Sequence, residues 1–212
     1  ELVLEPEERV GEEEAAAFRA AVERRMAGEP IQYIMGVAAF RELDLLVDRR
    51  VLIPRPETEV LVEEVLRWAA ERAAQAGRRL TAADIGTGSG AIALSLLKEG
   101  PFERVVATDV SLDALEVARA NAERSGLADR LELRHGRLLA PLRGERFDVI
   151  VSNPPYVADS ERDTLPVDVR EWEPASALFA GPTGLEVLAA LVEEAPLNLR
   201  PCGLLALEVG AG

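Results

Sequence analysis

The string Asn153-Pro154-Pro155-Tyr156 contains the residue types that most directly suggest chemistry. Two successive prolines fix the backbone and leave the carbonyls of Asn153 and Pro154 with no helix or ladder to join. An amide or exocyclic amine is a poor nucleophile because its lone pair is delocalised into the π system. Two acceptors gripping its two N–H bonds can hold such a nitrogen while the lone pair turns toward a methyl group. The expected acceptors are the Asn153 side-chain oxygen and the Pro154 carbonyl, with Pro155 stiffening the turn and Tyr156 offering a ring face to a flat substrate group. No strong base is required beforehand, which suits a chain whose only histidine, His135, lies elsewhere. The plain structural alternative is a rigid Pro-Pro turn that merely closes a strand.

A second string, Asp84-Ile-Gly-Thr-Gly-Ser-Gly90, ends one predicted strand and opens a helix. Glycines there let the backbone approach a ligand, and the expected loop of Gly86, Thr87, Gly88, Ser89 and Gly90 points free N–H groups outward as a nucleotide cradle. Asp109 ends the next strand, 23 residues beyond Gly86, where an acid meets ribose hydroxyls. Gly86, Gly88 and Ala91 also satisfy the dinucleotide fingerprint, so loop and acid alone do not separate a nicotinamide cofactor from S-adenosylmethionine. Asp84, two residues before the first glycine, and the Asn-Pro-Pro-Tyr turn after the fourth strand favour S-adenosylmethionine, with S-adenosylhomocysteine as product.

The elements that must position these residues are legible from residue 80 onward. Strands over Leu80–Ile85, Arg104–Asp109, Arg130–Leu133, Phe147–Ser152 and Gly203–Val209 alternate with helices over Ala91–Lys98, Leu112–Ser125 and Gly184–Leu199, the last disturbed by Pro196. That alternation predicts parallel βαβ units in an α/β fold. Upstream, residues 12–27 read as a helix with Ala16, Phe18, Ala21, Val22 and Met26 on one apolar face, stopped by Gly28 and Pro30. A hairpin of Val37–Phe40 and Leu43–Val47 turns around Arg41-Glu42. Pro56 suits the first turn of a further helix, with Glu57 and Glu59 complementing its dipole and Leu61, Val65 and Trp68 on its buried face up to about Gly77.

The 212 residues suffice for one α/β core with a smaller appended piece. Twenty-four basic against 38 acidic side chains give a formal charge of −14, a field that repels polyanions and argues against nucleic acid as partner. One cysteine, Cys202, forms no intramolecular bridge, and one Cys with one His is too few for a structural zinc site, so no metal is expected. A reducing cytoplasm fits this composition. No leader opens the chain and no apolar run approaches the roughly 20 residues of a membrane helix, so no membrane association is expected.

Taken together, these and further strings resemble the release-factor glutamine methyltransferases over nearly all of residues 28–210. The matching strings are Gly28-Glu-Pro-Ile-Gln-Tyr-Ile-Met-Gly36, Val51-Leu-Ile-Pro-Arg-Pro-Glu-Thr-Glu59, Asp84 to Gly90, Asn153 to Tyr156, Glu173-Pro174, and Gly181 to Leu185. The Asn-Pro-Pro-Tyr string is shared with adenine-N6 methyltransferases, whereas the Ile-Pro-Arg-Pro-Glu-Thr-Glu string discriminates against the ribosomal-protein glutamine methyltransferases. The resemblance implies a class I, Rossmann-like, mostly parallel sheet. It also implies methyl transfer to the side-chain nitrogen of the glutamine in the Gly-Gly-Gln loop of peptide chain release factors. Within it, Asp84 orders the loop or meets the methionine end of the cofactor, Gly86 to Gly90 and Asn153 line that cofactor, Asp109 holds the ribose, and Asn153, Pro154, Pro155 and Tyr156 bind the substrate. Asn153, Pro154 and Tyr156 are the catalytic candidates.

The implied organisation is a remnant of an N-terminal helical docking domain over residues 1–36, a hairpin linker over 37–56, and a methyltransferase domain over 57–212 acting as a monomer. The chain departs from the family pattern in three ways. Gly136-Arg137 replaces the usual Gly-Asp near the adenine, Pro201-Cys202-Gly203 replaces Pro-Gly-Gly, and the family's first helices and last two strands are missing. The methyltransferase domain is thus expected to be incomplete at its C-terminal end and its fifth strand to present an unpaired edge, either because the sequence is part of a longer one or because another chain or a loop covers that edge. Competing readings are an adenine-N6 methyltransferase of DNA or RNA, a nicotinamide-dependent oxidoreductase, and a cofactor-binding scaffold without catalysis.

Overall fold

A computed structural model describes residues 10–210, so residues 1–9 and 211–212 of the expected spans lie outside the described residues. The chain begins with helices α1 (Glu12–Met26) and α2 (Ile31–Met35), followed by the hairpin β1 (Val37–Phe40) and β2 (Leu43–Leu46) and the long helix α3 (Pro56–Ala76). Pro56 occupies the first turn of α3 as its fixed φ allows, and Gly77 ends the helix in a left-handed conformation. There follow β3 (Leu80–Ile85), α4 (Ala91–Glu99), β4 (Phe102–Asp109), α5 (Leu112–Arg124), β5 (Leu131–His135) and β6 (Phe147–Ser152). Short pieces come next: β7 (Val157–Ala158), α6 (Val167–Trp172), α7 (Ala175–Leu178) and β8 (Phe179–Gly181). Then α8 (Glu186–Asn198) leads into β9 (Leu199–Leu207).

Five strands form one sheet in the order β5-β4-β3-β6-β9, every neighbouring pair parallel. The chain winds from β3 outward to β5, then crosses back to β6 on the other side of β3. A crevice therefore opens at the carboxyl ends of β3 and β6, where such folds bind ligands. Parallel pairing also brings the residues after β4, β3, β6 and β9 to one edge of the sheet in that order. Every residue of β3 and β6 is buried, as expected of central strands covered on both faces. One apolar cluster packs α3 and α4 on the sheet through Val62, Val65, Leu94 and Leu97, and a second packs α8 on the opposite face through Leu191 and Ala195.

Several expectations are corrected here. Residues 12–26 are helical, but α1 buries no side chain: Phe18 is 70% and Met26 82% exposed. The buried residues of α3 are Thr58, Val62, Val65 and Ala69, while Leu61 and Trp68 only pack partly against the core. Pro196 lies inside α8, which continues to Asn198. The last strand starts at Leu199 instead of Gly203, with a register break between Phe147 and Val149 opposite it. Among the described residues β9 pairs only with β6 and stands at the sheet edge. No helix of the described residues is long and apolar enough to cross a membrane.

Candidate active site

The glycine loop stands between β3 and α4. Gly86 and Gly88 have φ of 72° and 54°, and a Cβ at either position would meet nothing within 4 Å. The backbone thus borders open space where a side chain would intrude. The N–H groups correct the expected cradle: those of Gly86 and Thr87 both donate to the Thr108 carbonyl, at 2.8 and 2.9 Å, and that of Gly90 donates to the Thr87 carbonyl at 2.8 Å. Gly88 N–H donates to Asp109 Oδ2 at 2.9 Å. A loop with these donors spent internally is poorly set up to wrap a pyrophosphate, which weighs against the nicotinamide reading.

Asp109 bridges the cofactor-side motifs, since its other oxygen accepts from Ser111 N–H at 2.9 Å. Ser111 in turn caps α5 by accepting from Ala114 N–H at 3.1 Å. A cavity of about 340 Å³ opens beside Asp109, lined by Gly86, Gly88, Val110, Arg137, Leu138, Asn153 and Pro154 among others. Of the proposed cofactor residues, Gly86, Gly88, Asp109 and Asn153 face this space. Asp84, Thr87, Ser89 and Gly90 do not, and their part is to build the loop. Thr87 donates its hydroxyl to Asp84 Oδ2 at 2.7 Å, the Ser89 carbonyl accepts from Asn121 Nδ2 at 2.9 Å, and Gly90 packs against Leu94 and Ala118.

Asp84 is fully buried, so of its two expected roles the geometry supplies the first. Its Oδ2 holds Thr87 and also accepts from Ala93 N–H at 3.2 Å, while Oδ1 is buried without a partner among the described residues. Burial pushes its carboxyl up to about 7, Thr87 and Ala93 pull the other way, and the charge of Asp109 adds a small further rise. Unfolded, the group titrates near 3.8, so from about pH 4 to about pH 7 the folded protein keeps a proton that the unfolded chain has released. Its contribution to stability therefore falls as pH rises through that window. Denaturant melts of wild type and Asp84→Asn across it should show this slope in the wild type and its loss in the variant. Parallel slopes would show that Asp84 does not titrate there.

Asn153 to Tyr156 follow β6 directly. Among the described residues nothing donates a hydrogen bond to the Asn153 or Pro154 carbonyl, as expected of a turn outside helix and ladder. A second cavity of about 200 Å³, lined by Arg55, Tyr156, Val157, Leu165 and Val169, shares Leu52, Asn153, Pro154 and Ala177 with the first. The turn is thus the common wall of two spaces, with Tyr156 belonging only to the second. Burial raises the Tyr156 hydroxyl pKa, and the Glu208 carboxylate raises it further. Arg55 ties the start of α3 to the turn before α7 through Glu173 at 2.5 Å, which fixes one side of the second cavity. Burial holds the Glu173 pKa above the ordinary carboxylate range despite Arg55.

Sequence reasoning missed two residues beside this turn. Asn153 Nδ2 donates to Thr58 Oγ1 at 3.0 Å, and the Glu208 carboxylate lies against both side chains. Thr58 stood inside the Ile-Pro-Arg-Pro-Glu-Thr-Glu string, and Glu208 is an acid at the carboxyl end of an apolar strand, the signal that had singled out Asp109. Among the described residues no group of three or more His, Cys, Asp and Glu is placed to hold a metal ion.

The family described as the methyltransferase small domain matches residues 58–168, and that described as the PrmC N-terminal domain matches residues 1–36. The chain is 49% identical over 210 residues to the release factor glutamine methyltransferase of Moorella thermoacetica, covering 99% of this chain and 72% of that protein. It is 46% identical over 200 residues to the protein of the same name from Geobacter sulfurreducens, covering 94% and 67%. A methyltransferase crystal structure from Pyrococcus furiosus superposes with a TM-score of 0.56 at 24% identity, covering 90% of this chain and 77% of that one, a likeness of fold alone.

Proposed function

Because the chain belongs to the release factor glutamine methyltransferase family, we propose that it transfers a methyl group from S-adenosylmethionine to the side-chain amide nitrogen of the Gly-Gly-Gln glutamine of a release factor. The observation that carries this reading is the meeting of two cavities at Asn153 and Pro154, one beside the glycine loop and Asp109, the other beside Arg55 and Tyr156. The residues present suit the methyl donor. Side-chain-free backbone at Gly86 and Gly88, the Asp109 carboxylate, and apolar walls at Val110 and Leu138 match a methionine chain, a ribose and an adenine. Bound there, the donor supplies an electrophilic methyl carbon on a sulfonium.

The chain's own part is to hold the acceptor. Asn153 Oδ1 and the Pro154 carbonyl take the two N–H bonds of the glutamine amide, and the ring of Tyr156 covers its flat face. The methylated amide nitrogen is acidic and loses its proton to solvent, so no side chain acts as a base. The negative total charge supports a protein substrate over nucleic acid, and the same reading takes the protein as a cytoplasmic monomer. In it, residues 1–36 dock the substrate, 37–56 form the linker, and 57–212 carry the chemistry.

Incubation with labelled S-adenosylmethionine and either a release factor or nucleic acid tests this. Label on the Gly-Gly-Gln glutamine is expected, and label on adenine alone would overturn the reading. Asp109→Ala should weaken S-adenosylhomocysteine binding by about 1.5–3 kcal/mol in calorimetry, since ribose hydroxyls lose a charged acceptor. The same change also frees the Gly88 and Ser111 N–H groups. Unchanged affinity would remove Asp109 from the cofactor site.

A further inference from the structure

The contact between Asn153 and Thr58 is 3.0 Å long, joins residues far apart in sequence, and is partly buried, with Thr58 itself 4% exposed. By itself it does not fix which end of the Asn153 amide faces the cavities. The two ends of an amide have nearly the same shape, and a hydroxyl can either donate to the oxygen or accept from the nitrogen. Glu208 removes that degeneracy. It follows β9, its N–H donates to the Ser152 carbonyl at 3.0 Å, and its carboxylate thereby comes to lie against Thr58 and Asn153 together. A carboxylate only accepts. When Glu208 is ionised, a Thr58 hydroxyl turned toward it offers its lone pair to Asn153 Nδ2, the direction of the 3.0 Å contact, and Oδ1 is left on the cavity side.

Glu208 Oε2 is buried without a hydrogen-bond partner among the described residues, an acceptor left free for the Thr58 hydroxyl beside it. Burial raises the Glu208 pKa and Glu57 raises it further, while Thr58, Asn153 and Arg55 favour the charged form.

We propose that Thr58 and Glu208 are positioning residues that lock the Asn153 amide in one orientation, with its oxygen presented to the substrate nitrogen and its NH₂ turned away. This rests on the role given above to Asn153, in which a reversed amide would present donors to a nitrogen whose own hydrogens need acceptors. Neither residue touches the reacting atoms.

The test uses Thr58→Val, which keeps shape and removes the hydroxyl, Thr58→Ser, which keeps the hydroxyl, and Glu208→Leu. In the ligand-free protein, the ¹⁵N side-chain amide signal of Asn153, assigned by its loss in Asn153→Ala, should exchange slowly with solvent. Exchange should accelerate about tenfold or more in Thr58→Val and Glu208→Leu, the loss of one buried hydrogen bond, and should return to wild type in Thr58→Ser. Methylation kcat should fall by about tenfold in the same two variants, with S-adenosylhomocysteine affinity unchanged. If amide exchange stays at the wild-type rate in both variants, the lock is overturned, whatever happens to kcat. Should Glu208→Leu fail to fold, the Thr58 pair decides. Should the wild-type enzyme transfer no methyl group to a release factor, the functional reading fails while the exchange rates still decide the lock.

Discussion

Asn153→Ala should lower the methylation kcat by about 10²–10³ and leave S-adenosylhomocysteine affinity near wild type, by analogy with deleting one preorganised hydrogen-bonding group at an active site. The amide nitrogen of glutamine must approach the methyl carbon in line with the departing sulfur, so most of the acceleration comes from holding two reactants in one geometry. Asn153 supplies one of two acceptors for that nitrogen, and the Pro154 carbonyl supplies the other. Removing the side chain leaves the prolines in place, so the backbone turn and its carbonyl survive. Asn153→Asp separates orientation from base catalysis, because it keeps an acceptor oxygen but adds charge next to Glu208. If a neutral acceptor is what matters, the Asp variant keeps measurable activity and its pH profile shows no new requirement for a deprotonated group. Single-turnover rates across pH decide this. A wild-type profile following one ionisation near neutral pH, with Asn153→Ala nearly as fast, would assign activation of the amide to another residue.

The residues that follow the central strands were readable in advance for a physical reason. Buried parallel strands such as Leu80–Ile85 and Phe147–Ser152 are short apolar runs ended by glycine, asparagine or proline, and ligand-facing residues come immediately after such endings. Gly86 and Asn153 directly follow such runs, and Asp109 is the last residue of its strand. What sequence could not show is where hydrogen bonds go. The outward N–H groups expected of the glycine loop are mostly spent on Thr108, Asp109 and Thr87, because β4 runs alongside the loop and offers acceptors. The side chain of Asp84 likewise turns inward instead of meeting a ligand. Thr58 and Glu208 reach Asn153 only through the packing of α3 and β9 around β6, a long-range fact with no local pattern. On α3 the apolar residues surround much of the helix, so Leu61 and Trp68 looked as well placed as Val62 and Ala69. Between residues 157 and 181 the elements are two to six residues long, too short for any period to emerge.

Just beyond that irregular stretch, Gly184 supplies the second large effect. Its φ is 78°, and a Cβ built there would stand 2.6 Å from the Tyr156 carbonyl oxygen and 3.2 Å from the Ala158 nitrogen. Both neighbours are backbone, so neither can rotate aside as a side-chain tip would. The strand between them, β7, is held by parallel pairing with β8, and the push from an added methyl falls on Tyr156. Upstream of Tyr156 the two prolines leave little freedom to absorb it, so the displacement passes into the carbonyl of Pro154 and the side chain of Asn153. A misplacement on the order of 1 Å at groups that orient reactants costs about 10²-fold, and Gly184→Ala should lower kcat by that amount with little change in S-adenosylhomocysteine affinity. Left-handed strain alone costs an alanine roughly 1–2 kcal/mol of stability, so melting temperature will fall too and cannot by itself assign the cause. Gly181→Ala provides the comparison. Its φ of 123° is also unfavourable to a side chain, but its nearest neighbours are side-chain atoms of Glu186, which can move away. Both variants should therefore lose stability, Gly184→Ala the more for its backbone clash, while only Gly184→Ala loses most of its turnover. Equal turnover in both, measured at a temperature where each is fully folded, would show that the Asn153 to Tyr156 turn is not braced from behind by Gly184.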